Sequence, residues 1–365
     1  MTENDFVPLI NAEGKKGGKV TWQAPSNIAL VKYWGKLKNQ IPANPSLSFT
    51  LDTCVTTTSV SYTKLKNPRN DFSFDFLFEG KPKPDFEPKI KLFFSRIEPY
   101  SPFLKDYHLV ITTSNSFPHS SGIASSASGM AALSLCIMAM EREFYPDMEP
   151  EYFTKKASFL SRLGSGSACR SIQGGVIHWG QHQEILGSSD RYAIPYPFLI
   201  HKVFADYQDT ILLVDKGQKQ VSSSLGHDLM LNHPYAKSRF LQAHENITRL
   251  QAVFKDGNLD KFIEIVESEA LTLHAMMMTA NPYFMLMRPH TLEIISRIWT
   301  FRKATRTPVC FTLDAGANVH LLYPKKNQNE ILYFITNELV AYCENEQYIC
   351  DQIGFGAKEI LSKDV

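Results

Sequence analysis

Pro118-His-Ser-Ser-Gly-Ile-Ala-Ser-Ser-Ala-Ser-Gly129 is a run of small residues that leads directly into the apolar segment 130–140. Small side chains let a backbone approach a ligand closely, and serine hydroxyls and free N–H groups at a helix start attract anions, most often phosphate. The pattern equally fits a serine-rich turn that caps a buried helix, because serine is a favoured N-cap residue. The segment therefore predicts a loop followed by a buried helix, with phosphate binding and simple capping both open.

The composition is that of a globular protein with a substantial core, since 44% of the 365 residues are hydrophobic and 21% are charged. This length predicts one large domain or two ordinary ones. The net charge of +1 points to neither nucleic acid nor a membrane as a partner, although a nucleotide phosphate needs only a local positive site. The polar start Met-Thr-Glu-Asn-Asp and the lack of an uncharged apolar stretch of ~18 residues predict neither a signal peptide nor a membrane span.

The cysteines indicate free thiols rather than disulfides or a zinc site, because no two of them form a C-x-x-C pair. Such usage is typical of a reducing compartment, so we expect a cytoplasmic protein. The six residues are Cys54, Cys136, Cys169, Cys310, Cys343 and Cys350.

Hydrophobic periodicity predicts strands and helices that mix without a regular βαβ alternation, which favours the α+β class. Residues 1–18 are expected to be a flexible lead, and a strand at 19–22 is expected to break at Pro25 and Asn27. After residue 190 the sequence contains three prolines and has mixed polarity, without clear periodicity. We therefore place a domain boundary near 205, between an N-terminal unit 1–205 and a C-terminal unit 206–365. Further strands are predicted at 47–63, 72–78, 107–113, 174–180, 209–214, 308–313 and 319–323, and helices at 89–97, 130–140, 152–163, 233–254, 258–278, 289–303 and 326–344.

The common nucleotide and hydrolase motifs are missing from the sequence. There is no Walker-type G-x-x-x-x-G-K-[ST] motif and no G-x-S-x-G elbow. Gly164-Ser-Gly166 begins like a dinucleotide fingerprint, but position 169 is cysteine and a predicted helix precedes it.

Three further segments carry candidate chemistry. Asn27-Ile-Ala-Leu-Val-Lys-Tyr-Trp-Gly-Lys36 fits either a cationic, aromatic-walled anion site or a strand with core aromatics and solvated lysines. Gly164-Ser-Gly-Ser-Ala-Cys-Arg-Ser171 offers hydroxyls and an arginine suited to carboxylate or phosphate, or else a helix end followed by a surface arginine. Phe311-Thr-Leu-Asp-Ala-Gly-Ala-Asn318 places Asp314 after an apolar strand, either as a base or as a turn former.

Together with the phosphate-loop-like segment 118–127, these blocks resemble the diphosphomevalonate decarboxylase family of the galactokinase–homoserine kinase–mevalonate kinase–phosphomevalonate kinase superfamily. The matches keep the family order and span about residues 20–325. The resemblance implies a ribosomal-protein-S5-like N-terminal α/β domain with a left-handed βαβ unit, a ferredoxin-like C-terminal domain, and an active site in the cleft between them. It also implies a homodimer.

By resemblance, the chain uses ATP and Mg²⁺ to convert mevalonate 5-diphosphate to isopentenyl diphosphate, ADP, phosphate and CO₂, a step of isoprenoid biosynthesis. Asp314 is implied as the base near the C3 hydroxyl, Arg170 and Asn27 as partners of the substrate carboxylate, and Lys32 as the group that neutralises phosphate charge. No dedicated metal ligands are implied. The implied substrate-binding residues are Tyr33, Trp34, Lys36, Ser165, Gly166, Ser167 and Ser222, and the implied ATP-binding residues are Ser121, Gly122, Ala124, Ser125 and Ser126.

The sequence departs from the family pattern at several positions while keeping Asp314 and Arg170. Pro45 replaces a usual serine, Ala317 a common proline, and segment 276–284 differs from the usual acidic, proline-rich version. Three alternatives therefore stay open: a decarboxylase of mevalonate 5-phosphate, a kinase of the same superfamily, and a catalytically silent protein that keeps the fold.

Overall fold

Two β-sheets and their covering helices make up the structure, a computed structural model that describes residues 1–8, 15–67, 70–118, 123–215 and 223–361. In these ranges strands and helices mix without a regular βαβ alternation, which is the predicted α+β arrangement. None of the helices described there is long and apolar enough to cross a bilayer. All six cysteines lie in the described ranges and are free thiols, as predicted.

The first sheet has the strand order β12-β1-β2-β5-β3-β4, and β6 and β7 extend it beside β2. Neighbouring strands are antiparallel except β3 and β5, which run parallel. Its strands are β1 (Gly17–Val31), β2 (Ser46–Lys64), β3 (Ser73–Phe78), β4 (Lys81–Pro82), β5 (Tyr107–Asn115), β6 (Val176–Trp179), β7 (Ile194–Pro195) and β12 (Lys358–Glu359).

β1 continues through the two residues that were expected to break it, so this prediction was wrong. The pairing of β1 with β2 shifts register between Pro25 and Asn27 and again between Ala29 and Val31. Ser26 is the unpaired residue of β1 in the first bulge, and Pro25 beside it pairs with Val55, whose carbonyl accepts a hydrogen bond from the Ser116 N–H, so no donor is needed at position 25. The bulges let β1 run on to Val31 and deliver the segment that follows it to the centre of the molecule.

The apolar core of the first half lies between this sheet and α1 (Glu87–Ile97), α2 (Ser125–Phe144) and α3 (Pro150–Gly164). α2 is buried on almost every side, which explains why its sequence is apolar all round. The lead was expected to be flexible, but Phe6 is fully buried and stacks on Phe159 with ring centroids 4.6 Å apart. One aromatic side chain thus anchors the start of the chain to the core.

The second sheet is antiparallel, with the order β11-β8-β10-β9. Its strands are β8 (Gln208–Leu212), β9 (Cys310–Thr312), β10 (Val319–Tyr323) and β11 (Tyr348–Gln352). The associated helices are α4 (Ser223–Leu229), α5 (Ala236–Asp256), α6 (Leu259–Met278), α7 (Pro289–Thr305) and α8 (Gln328–Phe334).

α8 is shorter than the single helix predicted over 326–344. After Phe334 the chain forms a π turn, Ile335–Leu339, and then a 3-10 turn, Val340–Tyr342. The side chains of Thr336 and Asn337 hydrogen-bond to the carbonyls of Leu332 and Tyr333 in the preceding turn. Such side-chain bonds compete with the regular backbone ladder and loosen a helix.

The two sheets meet across a shared core and a buried carboxylate. Residues from β1, β2, β8, β10, α5 and α6 form one apolar cluster. Asp351 in β11 accepts hydrogen bonds from the backbone N–H groups of Asp52, Thr53 and Cys54 in β2, at 2.7–2.9 Å. This junction fixes the end of β1 against the end of β9.

Candidate active site

An ion pair joins the end of β1 to the end of β9. Lys32 follows β1 directly, and its Nζ lies 3.0 Å from Oδ1 of Asp314, two residues after β9. The Lys32 side chain is 2% exposed, whereas that of Asp314 is 32% exposed. The alternative in which this lysine is solvated is therefore wrong, and the pair is open to a ligand from the carboxylate side.

The backbone around this pair is held by a buried polar network from α5 and α6. The Lys32 N–H donates to Oε2 of Glu269 at 2.9 Å, and its carbonyl accepts from Asn44 Nδ2 at 2.9 Å. Glu269 is in turn paired with the fully buried Arg239. After β9, the backbone carbonyl of Asp314 accepts a hydrogen bond from Nε2 of His274 in α6 at 3.2 Å. Both charged residues are thus fixed before any ligand binds.

The electrostatics keep Asp314 ionised. Burial opposes the charged carboxylate, but Lys32, His320 and Arg170 outweigh it and hold the pKa of Asp314 below its ordinary value. Burial lowers the pKa of Lys32, and the attraction of Asp314 acts against that shift. A fixed carboxylate beside an ammonium group can accept a hydrogen bond from a hydroxyl and favours positive charge that develops nearby.

Arg170 is a buried cation with uncharged partners. It lies in the 3-10 turn Gly166–Ser171, is 3% exposed, and donates to Asn27 Oδ1 at 3.2 and 3.3 Å and to the Ser46 hydroxyl. Among the residues that the structure describes, no carboxylate forms an ion pair with it, and burial lowers its pKa. The surface alternative for Arg170 is therefore wrong, and its uncompensated charge suits an anionic ligand.

Asn27 connects this turn to β1. Its side-chain nitrogen donates to the Ser167 carbonyl at 3.2 Å and to the Ser171 hydroxyl at 2.8 Å. Because its oxygen accepts from Arg170, the amide orients the guanidinium group. Asn27 and Arg170 are thus brought together, as the sequence blocks predicted for one site.

Tyr33 lies against the same turn. A Cβ atom at Gly166 would lie 2.7 Å from the Tyr33 hydroxyl, so only glycine allows this close approach. The side chains of Ser165 and Ser167 flank Gly166 and remain partly exposed. A phenol and two serine hydroxyls therefore line the turn next to Arg170.

Trp34 and Lys36 have different surroundings. Trp34 is buried in an apolar cluster with Met230, Leu273 and Met277, where it packs as a core residue. Lys36 Nζ lies 3.6 Å from Oδ1 of Asp228, and the Lys36 side chain is 17% exposed. Lys36 therefore keeps a cationic head within reach of solvent.

His227 lies beside the candidate site residues, although the sequence analysis did not single it out. Its ring lies between those of Tyr33 and Trp34, with centroids 4.2 and 4.7 Å away. Its Nδ1 accepts a hydrogen bond from the Gly35 N–H at 3.0 Å. The two segments are about 190 residues apart, so no local spacing could reveal the contact; the only signal was a histidine just after the serine-rich stretch 222–224.

The predicted ATP loop is described only in part. Ser121 and Gly122, and likewise Ser222, lie outside the described residues. Ala124 has a left-handed backbone (φ 41°), Ser125 begins the 20-residue helix α2, and the exposed Ser126 accepts a hydrogen bond from Lys89 Nζ at 2.7 Å. The positive end of a long helix and a lysine suit phosphate groups. Lys89 was not predicted, because nothing in the sequence connects α1 to this loop.

A hydrogen bond joins the end of the predicted ATP loop to β1, next to Asn27. Ser26 Oγ donates to the Ile123 carbonyl at 2.8 Å, and Ser26 precedes Asn27. Among the described residues there is no group of three histidine, cysteine, aspartate or glutamate side chains that could hold a metal ion. A divalent ion that accompanies ATP fits this arrangement, because Mg²⁺ in such sites takes most of its ligands from phosphates and water.

Comparison with known proteins identifies the family. A sequence model of the diphosphomevalonate decarboxylase-like N-terminal domain matches residues 24–193, and one of the mevalonate 5-diphosphate decarboxylase C-terminal domain matches residues 210–360. The diphosphomevalonate decarboxylase of Saccharomyces cerevisiae is 30% identical over 94% of this chain and 90% of its own length.

Solved structures show the same relationship. The mevalonate diphosphate decarboxylase of Enterococcus faecalis, described for ATP binding mediated by mevalonate diphosphate, superposes with a TM-score of 0.79 at 26% identity, over 94% of this chain and 99% of its own. A structure called MDDEF, in complex with MVAPP, AMPPCP and magnesium, gives the same TM-score, identity and coverage. The predicted two-domain α+β class is thus confirmed, and the chain belongs to the diphosphomevalonate decarboxylase family.

Proposed function

We propose that this protein is an ATP-dependent carboxy-lyase that converts mevalonate 5-diphosphate to isopentenyl diphosphate, with release of ADP, phosphate and CO₂. The observation that carries the proposal is the buried Arg170, which has uncharged partners and lies within electrostatic reach of the Lys32–Asp314 pair. Two groups of the substrate react, its carboxylate and its C3 hydroxyl. Arg170 offers a cation for the carboxylate, and Asp314 offers an acceptor for the hydroxyl.

Asp314 acts on the C3 hydroxyl of the substrate. Its low pKa makes it a weak base, so its main contribution is to orient the hydroxyl by accepting its hydrogen bond and to stabilise positive charge at C3. As the hydroxyl oxygen attacks the γ-phosphorus of ATP, the bond from that phosphorus to the bridging oxygen of ADP breaks, and the hydroxyl proton passes to the Asp314 carboxylate. Lys32, held 3.0 Å from Asp314, offsets the negative charge of the transferring group.

Arg170 and Asn27 hold the substrate carboxylate. When the C3–O bond breaks and phosphate leaves, the electrons of the bond between C2 and the carboxylate carbon form the alkene and CO₂ departs. A guanidinium held by Asn27 and Ser46 fixes the carboxylate in the orientation that this step needs.

The diphosphate of the substrate and ATP bind on different sides of the Lys32–Asp314 pair and Arg170. Tyr33, Lys36, Ser165, Gly166, Ser167 and Ser222 are proposed for the diphosphate. Ser121, Gly122, Ala124, Ser125 and Ser126, with Lys89, are proposed for ATP. Mg²⁺ supplies charge neutralisation for the phosphates when bound. We assign Trp34 an indirect role, because it packs in the core and supports its neighbours.

We also propose a domain boundary near residue 205, a cytoplasmic location and a homodimer. The gap between the two matched ranges, 193–210, and the start of the second sheet at Gln208 support the boundary. The six free thiols suit a reducing compartment. The homodimer rests on the family resemblance, and sedimentation equilibrium tests it.

The test is a coupled assay of ADP and CO₂ with purified protein, Mg²⁺ and ATP, which compares mevalonate 5-diphosphate with mevalonate 5-phosphate. We expect equal amounts of ADP and CO₂ from the diphosphate and little turnover of the monophosphate. ADP without CO₂ would identify a C3 kinase, turnover of the monophosphate alone would change the substrate, and no ADP from either compound would contradict an enzymatic role.

A further inference from the structure

The helix α4 contacts the segment 33–36 through three consecutive residues, Gly226, His227 and Asp228. A Cβ atom at Gly226 would lie 2.5 Å from the Trp34 ring, so the helix backbone packs directly on the indole. Asp228 approaches Lys36, with 3.6 Å between Oδ1 and Nζ. Three successive positions therefore contact a segment that contains Tyr33 and Lys36, which are proposed for diphosphate binding, and His227 is the central one.

The hydrogen bond from Gly35 fixes the protonation of His227. An N–H donor at Nδ1 requires a lone pair there, so the neutral ring carries its proton on Nε2. Burial, together with Lys36 and Arg170, lowers the pKa of His227 to about 3. The ring is therefore an uncharged donor throughout the physiological range.

The Nε2–H group lacks an acceptor within the described ranges, where the only hydrogen bond of the ring is the one at Nδ1. His227 is 8% exposed, and a polar group in such a position bonds to water or to a ligand oxygen that displaces the water. The ring packs against Tyr33 at a tilt of 35°, the Tyr33 hydroxyl adjoins Gly166, and the Lys36 ammonium is nearby. A cation, a phenol and a neutral N–H at one place suit an anion with several oxygens.

We propose that His227 is a substrate-binding residue whose Nε2–H donates to an oxygen of the substrate's diphosphate group. The inference rests on the proposed function for the identity of the substrate. The tilted ring contacts with Tyr33 and Trp34 hold the imidazole in place, so little side-chain entropy is lost when the diphosphate binds. In the free protein Asp228 holds the Lys36 ammonium near this position, and the diphosphate replaces Asp228 as the partner of Lys36 when it binds.

The test compares two donor-free variants with one that restores a donor. His227→Phe keeps a ring between Tyr33 and Trp34, and His227→Leu is the second variant should phenylalanine prevent folding. We expect KM for mevalonate 5-diphosphate to rise about 10- to 100-fold, as for a hydrogen bond to a charged group, with kcat and KM for ATP within about threefold. His227→Asn, which can both accept from Gly35 and donate, is expected to recover part of the loss.

The matched control is His182→Phe. His182 is also buried and packed against another ring, with its centroid 5.4 Å from that of His244, but it makes no hydrogen bond or ring contact with segment 33–36 among the described residues. We expect its KM values to equal those of the unmutated protein. Equal KM increases for both substrates, or the same loss in the control, would indicate a structural role and overturn the inference.

A readout without any substitution uses the Nε2–H resonance of His227. Inorganic pyrophosphate is expected to shift it at lower concentrations than inorganic phosphate, and an unshifted resonance would also overturn the inference. The two proposals fail separately. If the unmutated protein releases no CO₂, the proposed function is wrong; if it releases CO₂ and His227→Phe leaves KM unchanged, only the role of His227 is wrong.

Discussion

Arg170 shows how a single residue can indicate a ligand. A buried guanidinium normally has a carboxylate partner, as Arg239 has in Glu269. Arg170 has amide and hydroxyl partners instead, so the structure retains a positive charge that folding alone does not need. The substrate carboxylate is the partner that we propose for this charge.

This contrast predicts different outcomes for the two arginines. Arg170→Gln is expected to lower kcat/KM for the diphosphate substrate by at least about 100-fold while changing the free energy of unfolding by only about 1 kcal/mol. Arg239→Gln is expected to destabilise the fold by about 3 kcal/mol or more, because Glu269 is left buried and unpaired. Urea unfolding and steady-state kinetics on both variants check this. A large loss of stability in Arg170→Gln would contradict the assignment.

Asp314 offers a second prediction at the same scale. Asp314→Asn keeps an oxygen that can accept a hydrogen bond from Lys32 but removes the negative charge, so we expect kcat to fall about 10³-fold with little change in KM for ATP. Single-turnover formation of ADP and CO₂ measures the effect on each step. CO₂ release at nearly the normal rate would refute the role of the carboxylate.

Among the elements, β1 and β12 show where sequence patterns succeed and fail. The strands and helices with strong local periodicity, such as β2, β5, α3 and α6, were predicted close to their observed bounds. β1 was cut short because proline and asparagine are local strand breakers, whereas the bulge that accommodates them depends on pairing with β2. β12 has only two residues and exists only because the chain end returns to Trp22 and Gln23.

The site divides in the same way. Lys32, Asn27, Arg170 and Asp314 were predicted because they stand in recognisable blocks, and the structure places Lys32 beside Asp314 and Asn27 beside Arg170. His227 and Lys89 were not predicted, because only contacts with residues far away in the chain place them beside the candidate site. Burial, which distinguishes Arg170 from a surface arginine, is likewise a property of the folded chain.

The last described segment packs back against the first sheet, and this contact predicts the effect of a glycine substitution. A Cβ atom at Gly174 would lie 2.0 Å from the carbonyl carbon of Phe355, where backbone meets backbone and neither can move aside. Gly174→Ala is therefore expected to destabilise the protein by about 3 kcal/mol. The matched control is Gly129→Ala within α2, where a Cβ would meet nothing within 4 Å and alanine is expected to stabilise by about 1 kcal/mol. Thermal unfolding of both variants decides; equal effects would contradict this packing.

Across the whole molecule, buried neutral histidines link stability to pH. His178 in β6 and His274 in α6 are 0% and 1% exposed, and burial lowers the pKa of each to about 4. The unfolded chain, in which a histidine has a pKa of about 6.5, therefore binds protons first as the pH falls. Stability is complete above about pH 6.5 and is lost progressively from there down to about pH 4.

This linkage predicts that each of the two histidines costs about 2 kcal/mol of unfolding free energy between pH 7.5 and pH 5. Urea unfolding at pH 7.5, 6.5, 5.8 and 5.0 measures the loss, in a range where most carboxylates stay ionised. In His178→Gln, the side-chain amide can still donate to the Gly180 carbonyl, as Nε2 does at 2.7 Å, but cannot titrate. His227 is a third buried neutral histidine, with its pKa lowered to about 3, so the variant is expected to lose about a third less stability than the unmutated protein over the same range. An unchanged pH dependence in His178→Gln would show that this histidine is not the group that makes the fold sensitive to acid.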